Sequence, residues 1–166
     1  DSLNYPALAE AGVYLRYNTL MVNYPNGKEL KLHTSLDKRI GVATLFPGMT
    51  PDYIRCIFTN PGLKAVIIRT FGSGNAPMDK WFIDLLKEAG QRGLLMINVS
   101  QCLGGAVTQN NYESGKALYE DGVISGHDIT FESALTKSMF LLGQNLHAKD
   151  FREQFESNLR GELSGI

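Results

Sequence analysis

The sequence predicts an α/β fold: three layers, with a mostly parallel sheet flanked by helices and preceded by a β-hairpin and linker. Three observations lead there. Residues 40–46, 64–69 and 94–99 are short apolar runs that do not alternate with polar residues, as expected of strands covered on both faces. The segments between and after them repeat apolar residues at helical spacing, so strands and helices take turns along the chain. The first 38 residues differ in character, with Tyr-, Leu- and Thr-rich stretches around an Asn26-Gly27 turn signal. The expected division is therefore a hairpin and linker over 1–38 and an α/β domain over 39–166.

Each element has a local reason. "VYLRYNTLMVNY" and "KELKLH" flank "YPNGK", and Asn-Gly suits the positive φ of a tight hairpin. "IGVATLF" (40–46) is rich in branched residues and ends at Pro47-Gly48. In "TPDYIRCIF" (50–58) Thr50 can cap a helix, Pro51 fits its first turn and Asp52 meets the positive end of its dipole. "KAVIIR" is the second strand. Helix 78–93 follows, with Trp81, Phe82, Leu85, Leu86 and Ala89 on one face and Gly93 as its stop. "LLMINV" is the third strand. Helices are then expected at 113–122, despite Gly115, at 130–145 with Thr130 at its start, and at 148–161.

Composition removes several function classes. The 166 residues carry a formal net charge of −1 and no basic run, so neither a nucleic acid nor an anionic membrane is an expected partner. No apolar run approaches the ~18 residues that cross a bilayer. "DSLNYPALAEAG" has no basic or apolar leader region, so a secretory signal is not expected. The missing initial methionine suggests a fragment or processed product. Cys56 and Cys102 are the only cysteines and lack zinc spacing; free thiols in a reducing cytoplasm are expected. No metal or cofactor is expected. "GSGNAP" lacks the third glycine of a dinucleotide fingerprint, with Pro77 in its place.

Ligands of open α/β sheets gather at the carboxyl ends of strands. Two loops leave that edge with polar residues and paired glycines: "RTFGSGNAP" after the second strand and "NVSQCLGGAV" after the third. Adjacent parallel strands would set them side by side. A guanidinium at Arg69, ending an apolar strand, calls for an anion. That anion is either an internal carboxylate or a ligand's. Gly72 and Gly74 serve a turn or a close approach. Asn75 offers amide donors and an acceptor, or a local cap. Ser100, Gln101 and Cys102 form a polar cluster. Cys102 lacks a linked base, His127 being the one candidate, and suits a pocket wall better than a nucleophile. His33 and His147 are expected in solvent. Tyr112 and Glu113 lie on a polar loop of open role.

Together the stretches 1–12, "GVATLFPG" (41–48), "IRTFGSGNAP" (68–77), "NVSQCLGGAV" (98–107), 112–142 and "NLRGE" (158–162) resemble the C-terminal part of the type I, cytoplasmic L-asparaginases of bacteria. The resemblance implies one of two α/β domains of a homo-oligomeric amidohydrolase. It places the catalytic threonines, aspartate and lysine on the other domain. No TGGTI-like or TDT-like segment occurs here, so this chain alone is expected to be inactive. The resemblance implies that Asn75 reaches toward a neighbouring subunit's active site. It implies further that Arg69, Ser100 (where relatives have threonine) and Cys102 belong to an allosteric site for L-asparagine. The partners so implied are L-asparagine, the chain's own N-terminal domain and further subunits. A stand-alone regulatory amino-acid-binding module and a receiver-like or nucleotide-binding domain are the alternatives.

Overall fold

The structure is a computed structural model describing residues 5–22, 24, 27, 29–108 and 113–164. Its centre is a four-stranded parallel sheet in the order β3-β4-β5-β6. The strands are β3 (Ile40–Thr44), β4 (Ala65–Thr70), β5 (Leu95–Ser100) and β6 (Ile124–Ser125). The register aligns Thr44, Arg69 and Val99 across three strands and sets Thr70 beside Ser100. Helices α1 (Pro51–Phe58) and α2 (Lys80–Gln91) accompany the sheet, as do α3 (Glu113–Glu120), α4 (Phe131–Gly143) and α5 (Ala148–Glu156).

Alternation along the strands sorts the core into two layers. Ala43, Val66, Ile68 and Met96 pack with Ile54 and Phe58 of α1 and Phe82, Leu85 and Leu86 of α2. Ala65, Ile67, Ile97 and Val99 pack with Leu141 of α4 and Phe151 and Phe155 of α5. Both faces of β4 are therefore buried, which is why its sequence is apolar from Ala65 to Ile68. This is the three-layer arrangement expected from the sequence.

The capping expectations hold in detail. The Thr50 hydroxyl accepts from the Tyr53 N–H, and the Thr130 hydroxyl from that of Ser133. Gly93 adopts φ +80 just past α2, and the Leu94 N–H returns to the Ala89 carbonyl. Helix α5 ends at Glu156, earlier than expected. Asn158 breaks it: its amide nitrogen donates to the Leu163 carbonyl and its Oδ1 accepts from the Gly161 N–H (2.6 Å). Such local side-chain bonds compete with helix continuation. β6, only two residues long, gave no separate sequence signal.

The hairpin lies elsewhere than expected. β1 (Ala9–Ala11) pairs antiparallel with β2 (Leu15–Tyr17). Residues 29–33 form no ladder, and Leu30 and Leu32 are 98% and 80% exposed. Among the described residues no apolar face covers that arm, and alternation without burial does not hold a strand. Pro25, Asn26 and Lys28 of the expected turn lie outside the described residues. His33 also departs from expectation. It is half-buried, edge-on to the Phe140 ring at 5.1 Å, with Nδ1 3.2 Å from Gln144 Oε1. The Asp37 N–H donates to the Met139 carbonyl (3.0 Å), so residues 33–37 lie along the C-terminal half of α4.

Candidate functional site

β4 delivers Arg69 and β5 delivers Ser100 to the carboxyl edge of the sheet, where the two glycine-containing loops meet. A polar network joins them. The Thr70 hydroxyl donates to Asn98 Oδ1 (2.6 Å), and Asn98 Nδ2 donates to the Gly74 carbonyl (3.1 Å). Thr70 and Asn98 are both fully buried, and each bond removes a desolvation penalty. Gly74 has φ +101, and a Cβ there would stand 2.8 Å from Val107 Cγ1 and 3.2 Å from Asn98 Nδ2. Its glycine is thus required by packing within the loop pair.

Gln101 acts as a clamp. Its amide nitrogen donates to the carbonyls of Leu45 (2.7 Å) and Arg69 (2.8 Å). Two carbonyl partners fix the amide orientation and leave its oxygen as an acceptor. Ser100 is also committed. Its hydroxyl donates to the Gly72 carbonyl (2.5 Å) and accepts from the Cys102 N–H (3.0 Å). With its one proton given to Gly72, Ser100 can offer a ligand an acceptor but no donor.

A cavity of about 690 Å3 opens beside these residues, lined among others by Tyr5, Arg69, Ser100, Gln101, Cys102 and Phe131. The Arg69 guanidinium lies 4.6 Å from the Phe131 ring centroid, a cation–π stack that fixes its plane. It makes no ion pair among the described residues, and its Nε is buried with no hydrogen-bond partner. Among the described residues no carboxylate answers Arg69. The Cys102 thiol is exposed at the cavity wall. Burial, then the Asp128 carboxylate, push the Tyr5 phenol up to about 12, so it keeps its proton at neutral pH.

Gly161 and Glu162 close another side. The Glu162 carboxylate accepts from the N–H groups of Leu159 (3.0 Å) and Arg160 (2.6 Å) and pairs with Lys137 Nζ at 2.6 Å. Burial pushes Glu162 up, but Lys137 and the backbone donors outweigh it and hold its pKa at about 2. For Lys137, burial lowers the pKa against the opposing pull of Glu162.

Arg69, Ser100 and Cys102 therefore come together at one cavity. Asn75 does not line it; it pairs with Phe71 through an antiparallel bridge and stays half-buried. Tyr112 lies outside the described residues, as do the side chains of Glu113 and Ser114. Sequence reasoning missed the roles of Gln101, Phe131 and the 158–163 turn. The available signal for Phe131 was its place after Thr130, a cap that the short β6 strand brings to the same edge. No group of His, Cys, Asp and Glu suited to a metal occurs among the described residues, and none of the helices is long and apolar enough to cross a membrane.

Comparison with known proteins finds relatives of this chain in both sequence and fold. L-asparaginase 1 of Escherichia coli strain K12 is 42% identical over 164 residues, 98% of this chain and 48% of that protein. The 60 kDa lysophospholipase of Mus musculus is 38% identical over 98% of this chain and 29% of its own length. The crystal structure of L-asparaginase I from Vibrio cholerae superposes with a TM-score of 0.91 at 39% identity, over 99% of this chain and 49% of that one. This chain thus spans about half the length, or less, of the curated relatives it matches. The model of the glutaminase/asparaginase C-terminal domain matches residues 39–155, and the chain belongs to that family.

Proposed function

We propose that this chain is the C-terminal half of a cytoplasmic, homo-oligomeric L-asparaginase that converts asparagine and water to aspartate and ammonia. Residues 1–38 serve as linker and as contact to a preceding domain. The nucleophilic threonine, its partner threonine, the aspartate and the lysine belong to that domain, so the present chain does not turn over substrate by itself. Asn75 contributes to the active site of a neighbouring subunit. The observation that supports this reading best is 42% identity to L-asparaginase 1 across 98% of the chain.

A regulatory role within the same reading has its own support: the Arg69 guanidinium, without an ion pair among the described residues, stands beside a cavity also lined by Ser100, Gln101 and Cys102. Arg69 would take the α-carboxylate of L-asparagine as a charge-assisted fork. Ser100 would accept a hydrogen bond from the ligand, and Cys102 would shape the wall. Loss of a charge-assisted bond is worth about ten- to hundredfold in affinity.

Two measurements test these statements. Ammonia release is assayed with the chain alone and with the chain joined to a preceding domain that carries the TGGTI-like segment. Activity of the joined protein only is expected; turnover by the chain alone overturns the placement of the nucleophile. Calorimetric titration with L-asparagine is compared for the chain and its Arg69→Ala variant. Equal binding by both removes Arg69 from the site.

A further inference from the structure

We propose that residues 33–38 are a fixed strap of the α/β domain, and that the pivot toward the preceding domain lies upstream of it, at residues 29–32. The pivot rests on the reading of this chain as one half of a two-domain protein. The docking of the strap stands on the chain alone. Gly143 is its clearest sign. This glycine ends α4 with helical backbone outside the left-handed region, and glycine weakens a helix relative to alanine. What it provides is room. A Cβ there would fall on the Ser35 carbonyl group and stand 3.2 Å from Leu36 Cα. These are main-chain atoms, so the strap's backbone rests directly on the helix.

Bonds hold the strap on both sides of that approach. The Asp37 N–H donates to the Met139 carbonyl (3.0 Å). Gln144 Nε2 donates to the Phe140 carbonyl (3.4 Å), which leaves Oε1 to accept from His33 Nδ1 (3.2 Å). The downstream end is tied to the sheet. The Asp37 carboxylate accepts from the Arg39 N–H (3.0 Å) and pairs with Lys64 Nζ at 3.3 Å, just before β4. The N–H groups of Lys64 (2.8 Å) and Ala65 (3.2 Å) donate to the Arg39 carbonyl. Residues 29–32 lack such anchors: they are exposed, and no backbone hydrogen bond joins them to another described residue. Exposure alone does not separate the two segments, because Thr34, Ser35 and Leu36 are exposed as well. Attachment does. Anchoring residues 33–38 shortens the free tether by about 20 Å of extended chain. A shorter tether raises the effective concentration of the preceding domain at this face.

Hydrogen exchange of the 166-residue chain, read by mass spectrometry, tests the strap. The Asp37 amide should exchange at least about a hundredfold more slowly than those of Lys31 and Leu32. Trypsin should cut after Lys31 about tenfold faster than after Lys38 or Arg39, although all three residues are exposed. Gly143→Ala should abolish both differences while the urea midpoint of the domain holds or rises, since alanine favours the helix. Gln144→Ala removes the His33 anchor without adding bulk, and should speed exchange at Asp37 about two- to tenfold. Equal exchange at Leu32 and Asp37 in the unaltered chain, or an Asp37 amide as protected in Gly143→Ala as before, overturns the strap. In the chain joined to a preceding domain, residues 29–32 should still exchange faster than Asp37. Protection of 29–32 equal to that of Asp37 there overturns the pivot. A joined protein that releases no ammonia overturns the two-domain reading instead and leaves the strap standing.

Discussion

Replacing Lys137 with Met should destabilise the fold by about 3 kcal/mol. The side chain is only 5% exposed, and its ammonium meets the Glu162 carboxylate at 2.6 Å and the Ser157 carbonyl at 2.6 Å. It also lies 5.3 Å from the Phe155 ring centroid. Methionine keeps the stem and removes the charge, leaving Glu162, itself 12% exposed, without its cation. Breaking a buried pair from one side costs roughly 3–5 kcal/mol. The Leu159 and Arg160 N–H groups still solvate the carboxylate, which places the value at the lower end. With a urea slope of about 2 kcal/mol/M, the midpoint should fall by about 1.5 M. Glu162→Gln alone should cost about 2 kcal/mol, because Ser157 and Phe155 continue to hold the lysine. The double variant leaves no stranded charge and should also lie about 2 kcal/mol below the original, well short of the sum of the singles. The assay is urea unfolding of all four proteins followed by far-UV circular dichroism. A double variant that equals the sum of its parts, or a Lys137→Met midpoint shift under about 0.3 M, refutes the coupling.

The same pair sets an acid limit. Glu162 has a folded pKa of about 2 against an ordinary value of 4.5, so its contribution is whole above about pH 4.5 and is lost as pH falls through about 2; urea midpoints of Glu162→Gln should lose less than those of the original over that window. Gly74→Ala should cost about 2–3 kcal/mol, because φ +101 and a contact of 2.8 Å to Val107 both oppose a methyl group; a melting temperature unchanged within a degree contradicts this. Asn98→Ala strands the Gly74 carbonyl and weakens the Thr70 anchor, and unfolding measurements should register about 2–3 kcal/mol. Gly143→Ala would place a Cβ 2.1 Å from the Ser35 carbonyl oxygen. It should release residues 33–37 from α4, read as faster limited proteolysis there with the remaining core still resistant.

The layers of this fold were legible because burial on both faces leaves a plain trace. Val66, Ile67 and Ile68 must all be apolar, whereas a strand open on one side alternates. Thr50 and Thr130 were legible for a different reason, since a cap depends on residues within one turn. The hairpin misled because its alternation is local while its burial is not; nothing among the described residues covers Leu30 or Leu32. Arg69 stood out as a charge ending an apolar strand. Its stack on Phe131 did not, because 62 positions and four intervening elements separate them. Ser100 was rightly placed at the loop junction, but sequence cannot say that its proton already belongs to Gly72. Gln101 was undervalued for the same reason, since its partners lie on β4 and just past the end of β3.

The two borders of the sheet differ in how they resist growth. On one side Ile124–Ser125 offers a span too short to template another strand. On the other, Ile40–Thr44 runs five residues with β4 as its sole neighbour in the sheet. Lys38 and Arg39 stand at the entrance to that border, both exposed, with Arg39 braced by Asp37 at 2.6 Å. Two copies approaching rim to rim in the same direction would bring those basic side chains together, which opposes edge-to-edge pairing at the longer border of the sheet among the described residues.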